Sequence, residues 1–236
     1  MPRTLTLLAA AGVAACLGFP ALAGASTPAV DPGQFGGQTQ NAWFPLRPGT
    51  VYTYRGVKDG LPVKDVVAVT GATKVIQGVR CTVVADRLYA HGRVIERTTD
   101  WYATAKDATV WYFGEATATL DPRTGHVKST DGSFQAGVDG ARPGIYMPGK
   151  PRPGQSARQE YYRGHAEDHF TVLSSTAHVN TPAASSRNVL LTREFTPLEP
   201  AVLDHKLYIR GVGTVLEESV KGPVERLVLQ SVHHSR

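Results

Sequence analysis

The chain has 236 residues, with 25 Lys+Arg against 20 Asp+Glu, 24 Gly, 16 Pro and 2 Cys. Hydrophobic residues at 42% and charged residues at 19% exclude a wholly disordered chain and a coiled coil. The basic excess is mild and scattered, with no Lys/Arg run of the kind that binds nucleic acid, and past the N-terminus no apolar run reaches the roughly 20 residues a membrane-spanning helix needs.

The N-terminal segment is the most legible. Arg3 precedes an uncharged apolar stretch over 5–19, and after Pro20 come Ala21-Leu22-Ala23 and Gly24-Ala25, small residues of the kind a signal peptidase cuts. Residues 1–23 therefore read as a signal peptide, with a secreted, periplasmic or cell-envelope destination. Removing them removes only Arg3 from the charge count and leaves +4. A competing reading attaches to Val13-Ala14-Ala15-Cys16, which looks like a bacterial lipobox and would make Cys16 a lipidated membrane anchor. The apolar stretch runs past Cys16 to Phe19, which favours cleavage near Ala23 or Ala25. Either way the remaining chain holds one cysteine, Cys81, and forms no internal disulfide, so its stability must come from a sizeable core. Cys81 lies in a strand-like run, as a small buried apolar residue.

Residues 24–40 are rich in Pro, Gly, Ser and Gln, without periodicity, and read as a flexible tether. Residues 41–236 then read as a single β domain of short β-branched and aromatic runs split by turn residues. Segments 50–57 and 61–70 flank Lys58-Asp59-Gly60, and 79–89 and 93–102 flank Ala90-His91-Gly92, two hairpin signals. Runs at 109–113 and 116–120 surround Gly114-Glu115, and a turn at 121–125 leads into 126–129. The stretch 137–154, with Pro143, Pro148, Pro151 and Pro153, reads as a long loop. Strands resume at 157–163, 168–173, 188–195, 204–210, 214–220 and 225–232. No helix of three turns is expected.

Ten to twelve short strands with polar connections predict an all-β fold: an antiparallel curved sheet, half-barrel or barrel with a long Pro/Gly-rich loop. Alternation puts Tyr52 and Tyr54 on one face, and Leu207 and Ile209 on one face opposite Lys206 and Tyr208. Val110-Trp111-Tyr112-Phe113 is apolar on both faces, as in a strand covered on both sides.

The phrase Phe44-Pro45-Leu46-Arg47-Pro48-Gly49, followed by the alternating run Thr50-Val51-Tyr52-Thr53-Tyr54, resembles the opening of uncharacterised secreted bacterial proteins and lipoproteins. Gly211-Val212-Gly213-Thr214-Val215, after Tyr208, is similar to their closing hairpin. The resemblance covers the two ends of the domain. It implies a curved sheet or half-barrel akin to lipocalin-like and lipoprotein-carrier shapes, and brings no catalytic residues with it.

Three groups of residues are candidates for function. In the clusters Trp101-Tyr102, Trp111-Tyr112-Phe113 and Tyr161-Tyr162, neighbouring rings point to opposite faces, so each cluster sends one ring inward. Trp101, Tyr102, Trp111, Tyr112, Glu115, Tyr162 and Glu194 are the ligand-binding candidates, for a small apolar or amphipathic molecule on a concave surface. Acidic groups beside the rings, such as Asp100, Glu115 and Glu160, suit cationic or hydroxyl-rich ligands. The second group is His165, Glu167 and His169, with His205 from another strand. On an extended strand the outer two stand about 13 Å apart, too far to share an ion bound at about 2 Å, so only a turn at Gly164 or a residue from another strand would gather them. A divalent metal ion is the one cofactor these residues would accept; no other is expected. The third group is the acid/base pool, in which Glu194 would pair with Glu115 or Asp100. Nucleophile, P-loop and dinucleotide motifs are missing.

The leading reading is an exported binding protein. The alternatives are an exported metal-assisted or acid/base hydrolytic enzyme, drawing also on Asp168, and a cell-envelope protein-interaction module.

Overall fold

The computed structural model describes residues 30–37 and 39–235. The expected signal peptide and Cys16 lie outside them. Among the described residues no helix is long and apolar enough to cross a membrane.

The first four strands form a meander: β1 (Thr50–Lys58), β2 (Leu61–Ile76), β3 (Val79–Ala90) and β4 (Arg93–Thr104). Each joins the next through two residues, Asp59-Gly60, Gln77-Gly78 and His91-Gly92, all with φ between 49° and 77°. That left-handed pair defines the turn whose twist matches paired strands, and Gly at the second position holds it without strain. β5 (Val110–Leu120) follows, with the short β6 (Val127–Ser129) and β7 (Phe134–Gln135) against it. Then come β8 (Arg142–Met147), β9 (Ser156–Arg158), β10 (Glu160–Tyr161), β11 (His169–Asn180), β12 (Ser185–Phe195), β13 (Leu203–Ile209), β14 (Gly213–Lys221) and β15 (Glu225–His234). The 137–154 stretch is thus not loop throughout, since Arg142–Met147 pairs with β5 on one side and β10 on the other. Pro143 is tolerated because β8 lies near the end of the sheet, flanked there only by the two-residue β10.

All pairings are antiparallel, and the sheet runs β10-β8-β5-β4-β3-β2-β1-β15-β14-β13-β12-β11-β9. The two outermost strands, β9 and β10, are consecutive in the chain with only Gln159 between them. One short segment therefore pairs with β11 through Ser156–Arg158 and with β8 through Glu160–Tyr161, and the sheet curls into a nearly closed barrel. Gln159 N–H donates to Asp168 O at 2.8 Å across this seam. At Gly144 a Cβ would sit 2.3 Å from Gln159 O, so the closure requires glycine there.

The first and last strands, β1 and β15, pair with each other. Gly211 N–H donates to Ala42 O at 2.6 Å, so the opening phrase lies against the closing hairpin. Asn41, 1% exposed, anchors the entry: its amide donates to Ala108 O and Pro148 O, and its carbonyl accepts from Trp43 and Phe44 N–H.

Two apolar clusters flank the curved sheet. The larger includes the side chains lining the barrel interior, with Tyr208, Phe170, Leu190 and Leu229 wholly buried. The smaller lies on the other face of β2 to β5, where Ile76, Val79, Cys81, Trp101, Trp111 and Phe113 pack beneath Phe35. Phe35 meets Trp111 and Phe113 edge-on at 6.2 and 5.6 Å and bridges to Ala105. The stretch expected as a tether therefore contributes, at Phe35, a side chain to the packed structure. Cys81, 0% exposed and free, is inert core: burial pushes its thiol up to about 12.

Candidate functional site

Because the β1–β2 turn has two residues, Tyr54 lies opposite Asp65, on the inward face. Bulges in the next two hairpins reset the register, and set Asp86 opposite Val67 and Asp100 opposite Val84. Asp100 in turn faces Glu115 across β4 and β5. All of these side chains enter one internal cavity of about 330 Å³. Ten of its lining residues are Asp or Glu and only two, Lys58 and Lys206, are basic.

An aromatic wall accompanies the carboxyls. Tyr102 and Tyr112 stack at 4.6 Å, and Tyr146 meets them edge-on at 5.0 and 5.8 Å. Phe44 closes the wall against Tyr102 and Tyr146 at 5.3 and 4.5 Å.

The carboxyls differ in how they are satisfied. Lys206 Nζ lies 3.0 Å from Glu194 and 3.5 Å from Glu217. Glu194 also accepts from the Thr192 and Tyr208 hydroxyls, both at 3.1 Å. Burial works against the Lys206 ammonium, but the two glutamates outweigh it and hold its pKa well above the ordinary lysine value. Lys58 reaches Glu96 and Glu225 at 3.7 and 3.8 Å. Tyr112 donates to Asp100 Oδ1 at 2.6 Å. Burial, only partly offset by that bond, raises Asp100 to about 7. Glu115 rises to about 9 through burial and the nearby Asp100, and burial raises Glu217 to about 7 in spite of Lys206.

Four carboxyls remain, as two pairs. Asp65 and Asp86 stand diagonally across β2 and β3, and Glu160 lies beside Asp168 at the seam, so each carboxyl acts on its neighbour's charge. All four pKa values are raised, chiefly by burial, so the neutral form of each carboxyl is favoured beyond the ordinary range. Asp65 Oδ1 and Glu160 Oε2 have no hydrogen-bond partner, although these residues are only 5% and 7% exposed.

Of the ligand-binding candidates, Tyr102, Tyr112, Glu115 and Glu194 line the cavity. Trp101 and Trp111 are on the opposite face, in the cluster under Phe35. Tyr162 stacks on His165 at 4.3 Å beside the Gly164 turn. The metal candidates are scattered. Glu167 accepts from Gly164 N–H within its own turn, His169 sits edge-on to Phe195 at 5.3 Å, and His205 pairs across strands with Arg193 and Glu218. Among the described residues no three His, Cys, Asp or Glu side chains are grouped to hold a metal ion. The acid/base candidates Asp100, Glu115 and Glu194 do share the cavity. Asp65, Asp86, Tyr146 and Lys206 were not site candidates on sequence; the one local signal was the two-residue turn that pairs Tyr54 with Asp65.

Fold and site together define a nearly closed antiparallel barrel with an acidic, tyrosine-walled interior. No protein-family model matches the chain, and no curated protein matches it. Two solved structures are similar to it. One is a Bacteroides fragilis protein described as exported and as having a YmcC-like fold: 15% identity, TM-score 0.46, covering 82% of this chain and 99% of that one. The other is a Parabacteroides distasonis protein described as a lipoprotein: 11% identity, TM-score 0.42, covering 83% of this chain and 100% of that one.

Proposed function

We propose that this chain is an exported binding protein whose barrel interior holds a small amphipathic ligand with a cationic end. The observation that carries the reading is the cavity of about 330 Å³ lined by ten acidic residues against two lysines, with two buried carboxyl oxygens unpartnered. A wholly apolar occupant would leave those oxygens unpaired and sealed from water, at a cost of about 1–3 kcal/mol for each group. An ammonium or guanidinium satisfies them, and the tyrosine faces attract the same charge. The aromatic wall of Phe44, Tyr102, Tyr112 and Tyr146 supplies the apolar surface for the rest of the molecule. Export is supported by the apolar stretch and small residues at the N-terminus, with release by cleavage or anchoring through Cys16 as its two routes.

Native mass spectrometry of protein purified without chelator or tag is expected to show one small basic molecule, released on denaturation. Thermal shift measurements with matched aliphatic amines, alcohols and carboxylates give the second check. The amines are expected to stabilise, by about 2.7 kcal/mol at a hundredfold excess over Kd. Equal stabilisation by the carboxylates would sink the reading.

A further inference from the structure

We infer that the ligand carries two cationic groups, one held at the Asp65–Asp86 pair and the other at the Glu160–Asp168 pair. The inference rests on the binding reading above and names the class of ligand. It follows from which carboxyls the protein already satisfies. Lys206 serves Glu194 and Glu217, and Lys58 serves Glu96 and Glu225. Asp100 takes the Tyr112 hydroxyl, and Glu115 stands beside it. What is left is two carboxyl pairs, and each contains one buried oxygen without a hydrogen-bond partner, Asp65 Oδ1 and Glu160 Oε2, on residues only 5% and 7% exposed.

The pairs belong to different sectors of the barrel. Asp65 and Asp86 stand on β2 and β3; Glu160 stands on β10, and Asp168 precedes β11. Between β3 and β10 the sheet passes through β4, β5 and β8. Asp86 and Glu217 act on Asp65, and Asp168, Glu115 and Asp100 on Glu160; Lys58 and Arg87 bear on Asp86, and Lys206 on Asp168. The aromatic wall lies on the intervening strands: Tyr102 is on β4, Tyr112 on β5 and Tyr146 on β8. An apolar chain with a cation at each end would lie along that wall and reach both pairs. A single cation would leave one pair with its buried oxygen unpartnered.

The test is calorimetric titration of the purified full chain with straight-chain α,ω-diamines of increasing length, each against the monoamine of the same length. One diamine length is expected to bind at least about tenfold more tightly than its monoamine, about 1.4 kcal/mol. Asp65→Asn and Glu160→Gln are each expected to erase that advantage while keeping monoamine binding at the pair left intact. Each amide copies the protonated acid it replaces, so both variants are expected to fold, and circular dichroism checks this. Should diamine and monoamine bind alike, the inference falls and the binding reading stands. Should no amine bind at all, both fall. Saturation by calcium or magnesium salts in place of the diamines overturns the inference as well.

Discussion

Lys206 is the cation on which one buried carboxyl, Glu194, and one half-buried carboxyl, Glu217, depend. Its ammonium sits between Glu194 and Glu217 with side-chain exposures of 18%, 11% and 29%, sheltered enough that little water replaces it if it is lost. Lys206→Met removes the charge and keeps the stem, so packing survives while two carboxylates face each other without a counter-ion. Breaking a buried pair in this way typically costs about 3–5 kcal/mol. Urea unfolding of Lys206→Met near pH 8 is expected to show a loss of about 3 kcal/mol, with a smaller loss near pH 5, because Glu217, at about 7, is then protonated in the folded protein. Adding Glu194→Gln to the variant is expected to restore part of the loss. A variant as stable as the parent at both pH values would remove the structural role given to Lys206. On sequence, alternation sets Lys206 and Tyr208 on one face and Leu207 and Ile209 on the other. The face that alternation gives Lys206 is the cavity face, because the interior is lined with polar groups. The usual equation of apolar with inward fails for such a strand.

At the scale of strands, much of the fold is legible because the turns carry their own chemistry. Asp59-Gly60 and His91-Gly92 supply the left-handed pair that a two-residue hairpin needs, and the expected strands flank them. The third such turn, Gln77-Gly78, goes unread because Gln is not a customary left-handed residue, and β2 runs to Ile76 where the reading stopped at Thr70. The site is far less legible. Counting outward from Asp59-Gly60 does place Asp65 opposite Tyr54. From β2 onward each hairpin contains a bulge, between Val69 and Thr73 and between Leu88 and Tyr89, and these shifts decide where Asp86 and Asp100 fall. A bulge leaves no compositional mark, so the convergence of Asp65, Asp86 and Asp100 from three strands has no local signal. The same applies to closure, which depends on Gly144 admitting the Arg158–Gln159 backbone. In Gly144→Ala the new Cβ would lie 2.3 Å from Gln159 O and 2.5 Å from Arg158 O, both backbone atoms that move only with the strand. The expected outcome is a loss of about 1–3 kcal/mol, typical of an overpacked site, with faster hydrogen exchange confined to β8, β9 and β10. Unchanged exchange in those three strands would show that they do not form the seam.

Over the whole molecule, net charge conceals a separation. Half of the 20 acidic residues line the cavity with two of the 25 basic ones, so the formal +5 is the sum of an acidic interior and a strongly basic remainder. That interior sets how the ligand-free protein responds to pH. Unfolded carboxyls release their protons near pH 4. In the folded protein Asp100 and Glu217 hold theirs to about 7 and Glu115 to about 9, with burial the largest cause in each case. The groups facing them are mixed in sign: Tyr112, Asp86, Arg87 and Lys206 around Asp100, Asp168 and Glu96 near Glu115, and Lys206, Glu194 and Glu225 around Glu217. Between pH 4 and these values the folded state binds more protons than the unfolded one, so stability must fall as pH rises. Each group adds up to about 1.4 kcal/mol per pH unit within its own window. Lys206 does not reverse the trend, since its raised pKa matters only above the ordinary lysine value. Chemical unfolding of the ligand-free protein at intervals from about pH 5 to 9 is therefore expected to show a steady loss of stability, the opposite of the usual carboxylate behaviour. The two carboxyl pairs, also raised by burial, add to that slope, and a saturating diamine is expected to remove their share alone by holding them ionised in the folded state. Stability that rises through the same range without ligand would mean that the interior carboxyls are ionised and solvated, and that the cavity is not the low-dielectric acidic site described above.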